Sequence, residues 1–405
     1  MVGATTAARW AADYTAGEMT TGAGWVKEAG ARVEPGRPLD DLKVQAPGIV
    51  RNPAGGWRLF YTAVGSDRPF AACQGYILSA VSDDGVTFEP EPGIRIRPDP
   101  RDPDMSLCAL APSISTLPDG RWRMYFESRG EADHRYTIRS AISEDQLHWT
   151  LEPGPRLAAF DRLGGPRFTP LPGGGGRLYC CASRWAAGQA KDSSGGERET
   201  VSAVTEDGLE FELEPGVRKQ GGTSEIASGG ITAADVIAPA GPAAPGASWI
   251  MVYSCWQEPP AGSVIPPHPS EQAAAVASGV SDDFAALSIA SDLAGFRSRL
   301  FVASSDDGLT FGPGELVLEG DGYEGAGIDA VHAEDMCLAE LGGGRYRVYY
   351  ASCDTRGTWR MASAIASLGG ATPRRAAGTK KGRPPKAPAE SYLGVATPPT
   401  NVTEM

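Results

Sequence analysis

The densest run of groups able to move protons lies at residues 327–335. There Asp329, His332, Glu334 and Asp335 precede the apolar Met336-Cys337-Leu338. Ionisable side chains just ahead of an apolar strand need solvent, a partner or a task. Asp235 stands at the start of a similar strand, with Glu225 a few residues upstream in a Gly- and Ser-rich segment. Two such carboxylates facing one another, one protonated and one ionised, suit cleavage of a glycosidic bond, and the His/Asp cluster suits proton transfer on a small molecule. Catalytic candidates are therefore Asp335, Asp235, Glu225, Asp329 and His332. A second set closes short aromatic stretches: Glu127 and Arg129, Arg184 and Trp185, Trp256 and Glu258, Asp354 and Arg356. Arg beside carboxylates and Trp can grip a sugar or a carboxylate-bearing ligand by paired hydrogen bonds and stacking. Glu127, Arg129, Arg184, Trp256, Glu334 and Arg356 are the substrate-binding candidates. His134 could join His332 in facing such a pocket. The chain has four histidines in all and no ligand spacing, so neither a metal nor any other cofactor is expected.

A repeat must position these groups. A Gly-bounded aromatic strand recurs at Trp57, Trp122, Leu178, Trp249 and Tyr346, with spacings of 65, 56, 71 and 97 residues. In four of the five copies a second strand follows and ends in a Ser/Thr-x-Asp-Gly turn or a variant of it. Examples are Ser82-Asp83-Asp84-Gly85 and Thr205-Glu206-Asp207-Gly208. Asp-Gly favours a tight hairpin, because Gly accepts positive φ and Asp bonds its own backbone. A third phrase precedes the aromatic strand: Ala46-Pro47-Gly48, Ala111-Pro112-Ser113, Gly165-Pro166-Arg167, Ala234-Asp235-Val236 and Asp335-Met336-Cys337. Four strands per unit and five units predict an all-β, five-bladed β-propeller. The last unit lacks its fourth strand, and residues 31–36, ending in Glu34-Pro35-Gly36, match the ends of the other fourth strands. An N-terminal strand is thus expected to close the ring.

The expected divisions are an N-terminal extension over 1–23, the propeller over 24–367, and a disordered basic tail over 368–405. The long fourth unit carries an insertion at about 257–296, where Pro269-Ser270-Glu271 opens an Ala-rich stretch that reads as a capped helix, a lid over the pocket face. The tail holds six basic and two acidic residues, so the rest of the chain is more acidic than the net charge of −13. That excess opposes nucleic acid binding, which rests on neutralising phosphates. No run nears the roughly 18 apolar residues of a membrane span, and the N-terminus has no basic-then-apolar leader pattern. Seven cysteines without a C-x-x-C pair suggest a reducing interior, so the expected compartment is cytoplasmic. The expected partner is a small-molecule or glycan substrate, with no nucleic acid and no membrane.

The phrases Gly120-Arg121-Trp122-Arg123-Met124-Tyr125 and Ser-x-Asp-Gly-x-x-Phe resemble those of the five-bladed propellers of glycoside hydrolase families 43 and 32, over nearly the whole chain except the tail. Ser304-x-Asp306-x-Gly308-x-Thr310-Phe311 also matches the Asp-box of the six-bladed sialidases, a turn device. The resemblance implies an Asp in the first strand of unit one as base or nucleophile, an Asp in unit two as stabiliser, and a Glu from a later unit as acid. This sequence departs from that set: Ala46-Pro47 stands where Asp-Pro is expected, and unit two reads Ala111-Pro112. Arg101-Asp102-Pro103 resembles a family 32 motif but lies nine residues ahead of Pro112. Three readings follow: a glycosidase-like enzyme acting on a small glycoside, a propeller with a repurposed acid/base site, and a non-catalytic glycan-binding propeller.

Overall fold

The computed structural model describes residues 20–21, 25–67, 74–130, 136–160, 162–183, 199–221, 230–239 and 248–257. It further describes 259, 261–265, 267 and 295–368. All lie within the first of two compact units, residues 1–370. The described part is strand and turn throughout.

The inner strands are Lys43–Arg51, Cys108–Thr116, Arg162–Pro170, Ile231–Ile237 and His332–Gly342. Each pairs antiparallel with the aromatic strand that follows it; that strand pairs with a third, and the third pairs with a short outer one. The aromatic strand is buried on both faces, as in Trp57–Val64, so it is apolar almost throughout. Adjacent inner strands touch in a cycle that returns from His332–Gly342 to Lys43–Arg51. Units four and five merge into one nine-stranded sheet through a single parallel bridge, Ser298 to His332.

Turn chemistry ties each unit to the next. In the first hairpin turn Asp84 Oδ1 accepts from Val86 N, Thr87 N and Ser82 Oγ at 2.7–2.8 Å. Asp145, Asp207 and Asp307 repeat the arrangement. In unit four it is made by Ser305 and Asp307, which fit the Ser-x-Asp-Gly phrase, one residue on from the Ser304 and Asp306 of the Asp-box match. An Arg near the start of an aromatic strand then reaches the turn of the following unit: Arg58 to Asp145 O and Arg123 to Asp207 O. Tyr125 and Tyr179 hydroxyls do the same to Gly208 O and Gly308 O. Arg347 and Tyr349 of the last unit bond Asp84 O and Gly85 O of the first, at 3.1 and 2.8 Å.

The N-terminus does supply the missing outer strand, but not with the residues the pattern favoured. Trp25–Lys27 pairs with Trp359–Ser367, whereas Val33 makes one isolated bridge to Met361. The reason is ionic. Glu91, Glu152 and Glu214 directly follow the outer strands of units one to three and take paired bonds from Arg58, Arg123 and Arg177. Glu28 fills that place for Arg347, so Glu28-Ala29-Gly30 is the true counterpart of the Glu-Pro-Gly phrase. Glu34 instead meets Arg360. The expected helix near 269–276 and the basic tail from 369 onward lie outside the described residues.

Candidate active site

The inner strands are kinked at one level. Register shifts fall between Gln45 and Gly48, Leu110 and Ser113, Gly164 and Arg167, Ile231 and Ala233, and Glu334 and Cys337. At four of these bulges one residue has positive φ: Ala46 (47°), Ala111 (52°), Gly165 (56°) and Asp335 (48°). A left-handed backbone costs a non-glycine residue about 1 kcal/mol, and bulges recur where a strand must re-aim a side chain. Here the strain is held by one buried residue. The Arg167 guanidinium donates to the carbonyls of Pro47 (2.9 Å), Pro112 (3.2 Å), Pro166 (3.0 Å) and Met336 (2.9 and 3.2 Å), each directly after a positive-φ residue. Arg167 thus joins the bulges of four units at the ring's centre.

Two positions per unit face this level: the bulge residue, and the residue of the aromatic strand that pairs just before it. The bulge positions hold Ala46, Ala111, Gly165, Thr232 and Asp335. The pairing positions hold Thr62, Glu127, Cys181 and Ala351, and in unit four Ser254, which pairs just after the bulge, is their counterpart because it bonds the next unit's bulge in the same way. Eight of the ten are small or neutral; Asp335 and Glu127 are the acids. Thr62, Glu127 and Ser254 each accept from the bulge N–H of the next unit, Ala111 (2.8 Å), Gly165 (3.3 Å) and Asp335 (3.4 Å) respectively. Gly164 has no Cβ for a concrete reason: one would collide with the Glu127 carboxylate.

Burial first, then the neighbouring Glu334 charge, pushes the Asp335 carboxyl up to about 8; Lys43 and Arg167 pull it down, and Glu127 adds a smaller upward push. That shift favours the protonated form of Asp335. Beside it runs a buried polar chain. Ser298 Oγ donates to Glu334 Oε2 (2.5 Å), Trp256 Nε1 donates to the same oxygen (3.0 Å), and His332 Nδ1 lies 2.9 Å from Ser298 Oγ. Since the serine proton goes to Glu334, Nδ1 is the donor to Ser298, and Ser298 is not an activated nucleophile. His332 stacks on Trp359 at 4.9 Å, and Lys43 Nζ sits 4.0 Å over the Trp359 ring.

The remaining candidates go elsewhere. Asp329 is an anchor for the outer strand, paired with Lys27 at 2.7 Å and accepting from Tyr350 at 2.9 Å. Asp235 lies past the bulges, bonded to Val236 N and Leu338 N, both 2.9 Å, and burial raises its pKa. It lines a separate cavity of about 440 Å³ with Arg167, Ile49, Phe168 and Tyr346. Arg356 is exposed beside Asp354. Arg129 is buried, 5.3 Å over the Tyr136 ring. Glu225, Arg184 and His134 lie outside the described residues. The sequence reading did not single out Lys43, Arg162, Arg167, Ser298 or Trp359. The repeated Ala-Pro and Gly-Pro phrases were the available signal for the bulges.

No family model matches the sequence, and no curated protein matches it. Solved structures do. A family 130 structure, reported with glycoside hydrolases that target β-1,2 mannosidic linkages in Candida mannan, superposes over 86% of this chain and 95% of its own. Its TM-score is 0.54 at 14% identity. The fold is that of the propeller glycoside hydrolases. A thermostable family 43 glycoside hydrolase gives 0.51 at 13% identity over 82% and 91% of the two chains. The Bombyx mori family 32 β-fructofuranosidase gives 0.53 at 12% over 82% and 61%. At such identities the likeness concerns the fold alone.

Proposed function

We propose that this chain is a five-bladed propeller enzyme that cleaves a small glycoside, with Asp335 as the proton donor and Glu127 as the base or nucleophile. The observation that carries this reading is the ring of ten equivalent positions in which these two alone are acidic. A neutral Asp335 can protonate a leaving-group oxygen, and an ionised Glu127 can take a proton from water or attack the sugar carbon. The acids that the family resemblance puts in units one and two are Ala46 and Ala111 here, so the pair would have moved around the ring while keeping the same level of the channel.

The test begins by screening glycosides for ones that raise the melting temperature, followed by turnover assays. Asp335→Asn and Glu127→Gln should fold normally and lose roughly 100-fold or more in rate, the scale of general acid–base catalysis. Parent-like turnover by both would end this reading. The His332–Ser298–Glu334 chain favours a second one, acid/base chemistry on a small non-glycoside metabolite. It would be preferred if His332→Gln abolished turnover of such a compound while no glycoside was cleaved.

A further inference from the structure

The cavity next to Glu127, about 70 Å³, is lined by Arg162, Gly164, Gly165, Ser183 and Thr232 among others. Arg162 opens the third inner strand, and its guanidinium lies 5.8 Å from the Tyr136 ring centre; the Arg129 guanidinium lies 5.3 Å from the same ring. Tyr136 thus has a guanidinium near its ring from each of two strands, and of the two only Arg162 lines the cavity. Four strand arginines that tie the outer strands in place have carboxylate partners: Arg58 has Glu91, Arg123 has Glu152, Arg177 has Glu214, Arg347 has Glu28. Arg162 differs. Among the described residues no carboxylate pairs with it, although it is half-buried and lines a cavity. A guanidinium presents a planar fork that matches a carboxylate.

Resting on the glycosidase reading above, we propose that Arg162 receives the carboxylate of the substrate and that the preferred substrates are glycosides of acidic sugars, the uronosides. A neutral glycoside would leave this guanidinium unmatched. A uronoside would bring an anion to the Arg162 guanidinium, whose charge offsets its repulsion from Glu127. The assignment concerns recognition alone; bond cleavage would remain with Asp335 and Glu127.

The probes are methyl glucuronides and methyl galacturonides of both anomers, compared with the matching methyl glucosides and galactosides. Binding is measured by calorimetry on the full chain, its Arg162→Gln and Arg162→Lys variants, and Asp335→Asn. At least one uronoside should bind the parent protein tightly enough to measure and better than its neutral counterpart. Arg162→Gln should weaken it roughly 10- to 100-fold, the range for a charge-assisted pair. Arg162→Lys should recover part of that loss, and Asp335→Asn should bind like the parent. Unliganded melting curves of the two Arg162 variants check that they fold, and if Gln does not, the Lys variant carries the comparison, with weaker binding expected. Absence of uronoside binding, equal binding of the neutral partner, or uronoside affinity unchanged in the Arg162 variants overturns the proposal. Asp335-dependent cleavage of a neutral glycoside, with no preference for the uronoside, would leave the glycosidase reading standing and remove this one. Arg162-dependent uronoside binding without any cleavage would do the reverse.

Discussion

Replacing Glu28 by Gln probes the bond on which closure of the ring depends. The Glu28 carboxylate takes hydrogen bonds from Arg347 Nε (2.8 Å), Arg347 Nη2 (3.0 Å) and Ser363 Oγ (2.6 Å). The two charged side chains are only 6% and 5% exposed. Removing one member of a buried ion pair costs about 3–5 kcal/mol, chiefly because the other charge stays buried without its partner. Arg347 keeps its bond to Asp84 O, which points to the lower end, about 3 kcal/mol. Glu34 is the control. Its side chain is 61% exposed, so Glu34→Gln should cost about 0–1 kcal/mol despite the 2.9 Å contact with Arg360. Urea denaturation at neutral pH compares the two, and an unchanged dependence on denaturant would show that folded and unfolded states expose the same surface as before. Glu28→Gln combined with Arg347→Met should recover much of the loss, since a hydrophobic replacement leaves no stranded charge. The reasoning fails if Glu28→Gln unfolds within about 0.5 kcal/mol of the parent, or if Glu34→Gln is the costlier change.

Asp335 should leave a mark on stability as well as on rate. Its folded pKa of about 8 exceeds the ordinary carboxylate value, so the folded state holds a proton that the unfolded chain has released. Parent stability should therefore fall, relative to Asp335→Asn, as pH rises from about 4 to about 8; parallel curves would refute the buried-proton assignment. Arg167→Met strands carbonyls of four units and should cost at least about 3 kcal/mol by chemical denaturation, and a neutral result would mean the bulges hold themselves. Asp84→Asn weakens a turn in which hydrogen bonds from Thr87, Val86 and Ser82 outweigh burial and hold the carboxyl below its usual range. It should lower stability by about 1 kcal/mol at neutral pH and leave turnover of any discovered substrate unchanged, and a loss of rate with intact stability would contradict its structural role.

The parts of this molecule legible in the sequence are those set by neighbouring residues. Gly-bounded aromatic runs gave the second strands within a residue or so, because burial on both faces leaves few alternatives to apolar, β-favouring side chains. The Asp-Gly turns could be read for the same local reason. Glu127, Glu334, Asp335 and Trp256 were legible as strand ends and starts, but not as members of one level, since that level is fixed by bulges. A bulge inserts an unpaired residue that no alternation of side chains announces. Arg167 looked like an ordinary strand residue; its role exists only once carbonyls from residues 47, 112 and 336 arrive around it. The closing strand was misplaced by a few residues because Glu34-Pro35-Gly36 matched the phrase better than Glu28-Ala29-Gly30. Which glutamate was used depended on an arginine 319 positions away.

That separation has a consequence during synthesis. Trp25–Lys27 and Glu28 leave the ribosome long before Arg347 and Ser363 are made, and translation at about 5–20 residues per second puts the interval at roughly 16–64 seconds. For that time the chain carries a strand whose partner does not yet exist, with Trp25 destined for burial. Units one to three, whose outer strands come from their own sequence, can pair while this segment waits. The last unit can complete its sheet only when the oldest and youngest parts of the chain meet. Whatever shields Trp25 in that interval, whether transient local contacts or a chaperone, acts on the segment that finishes the ring.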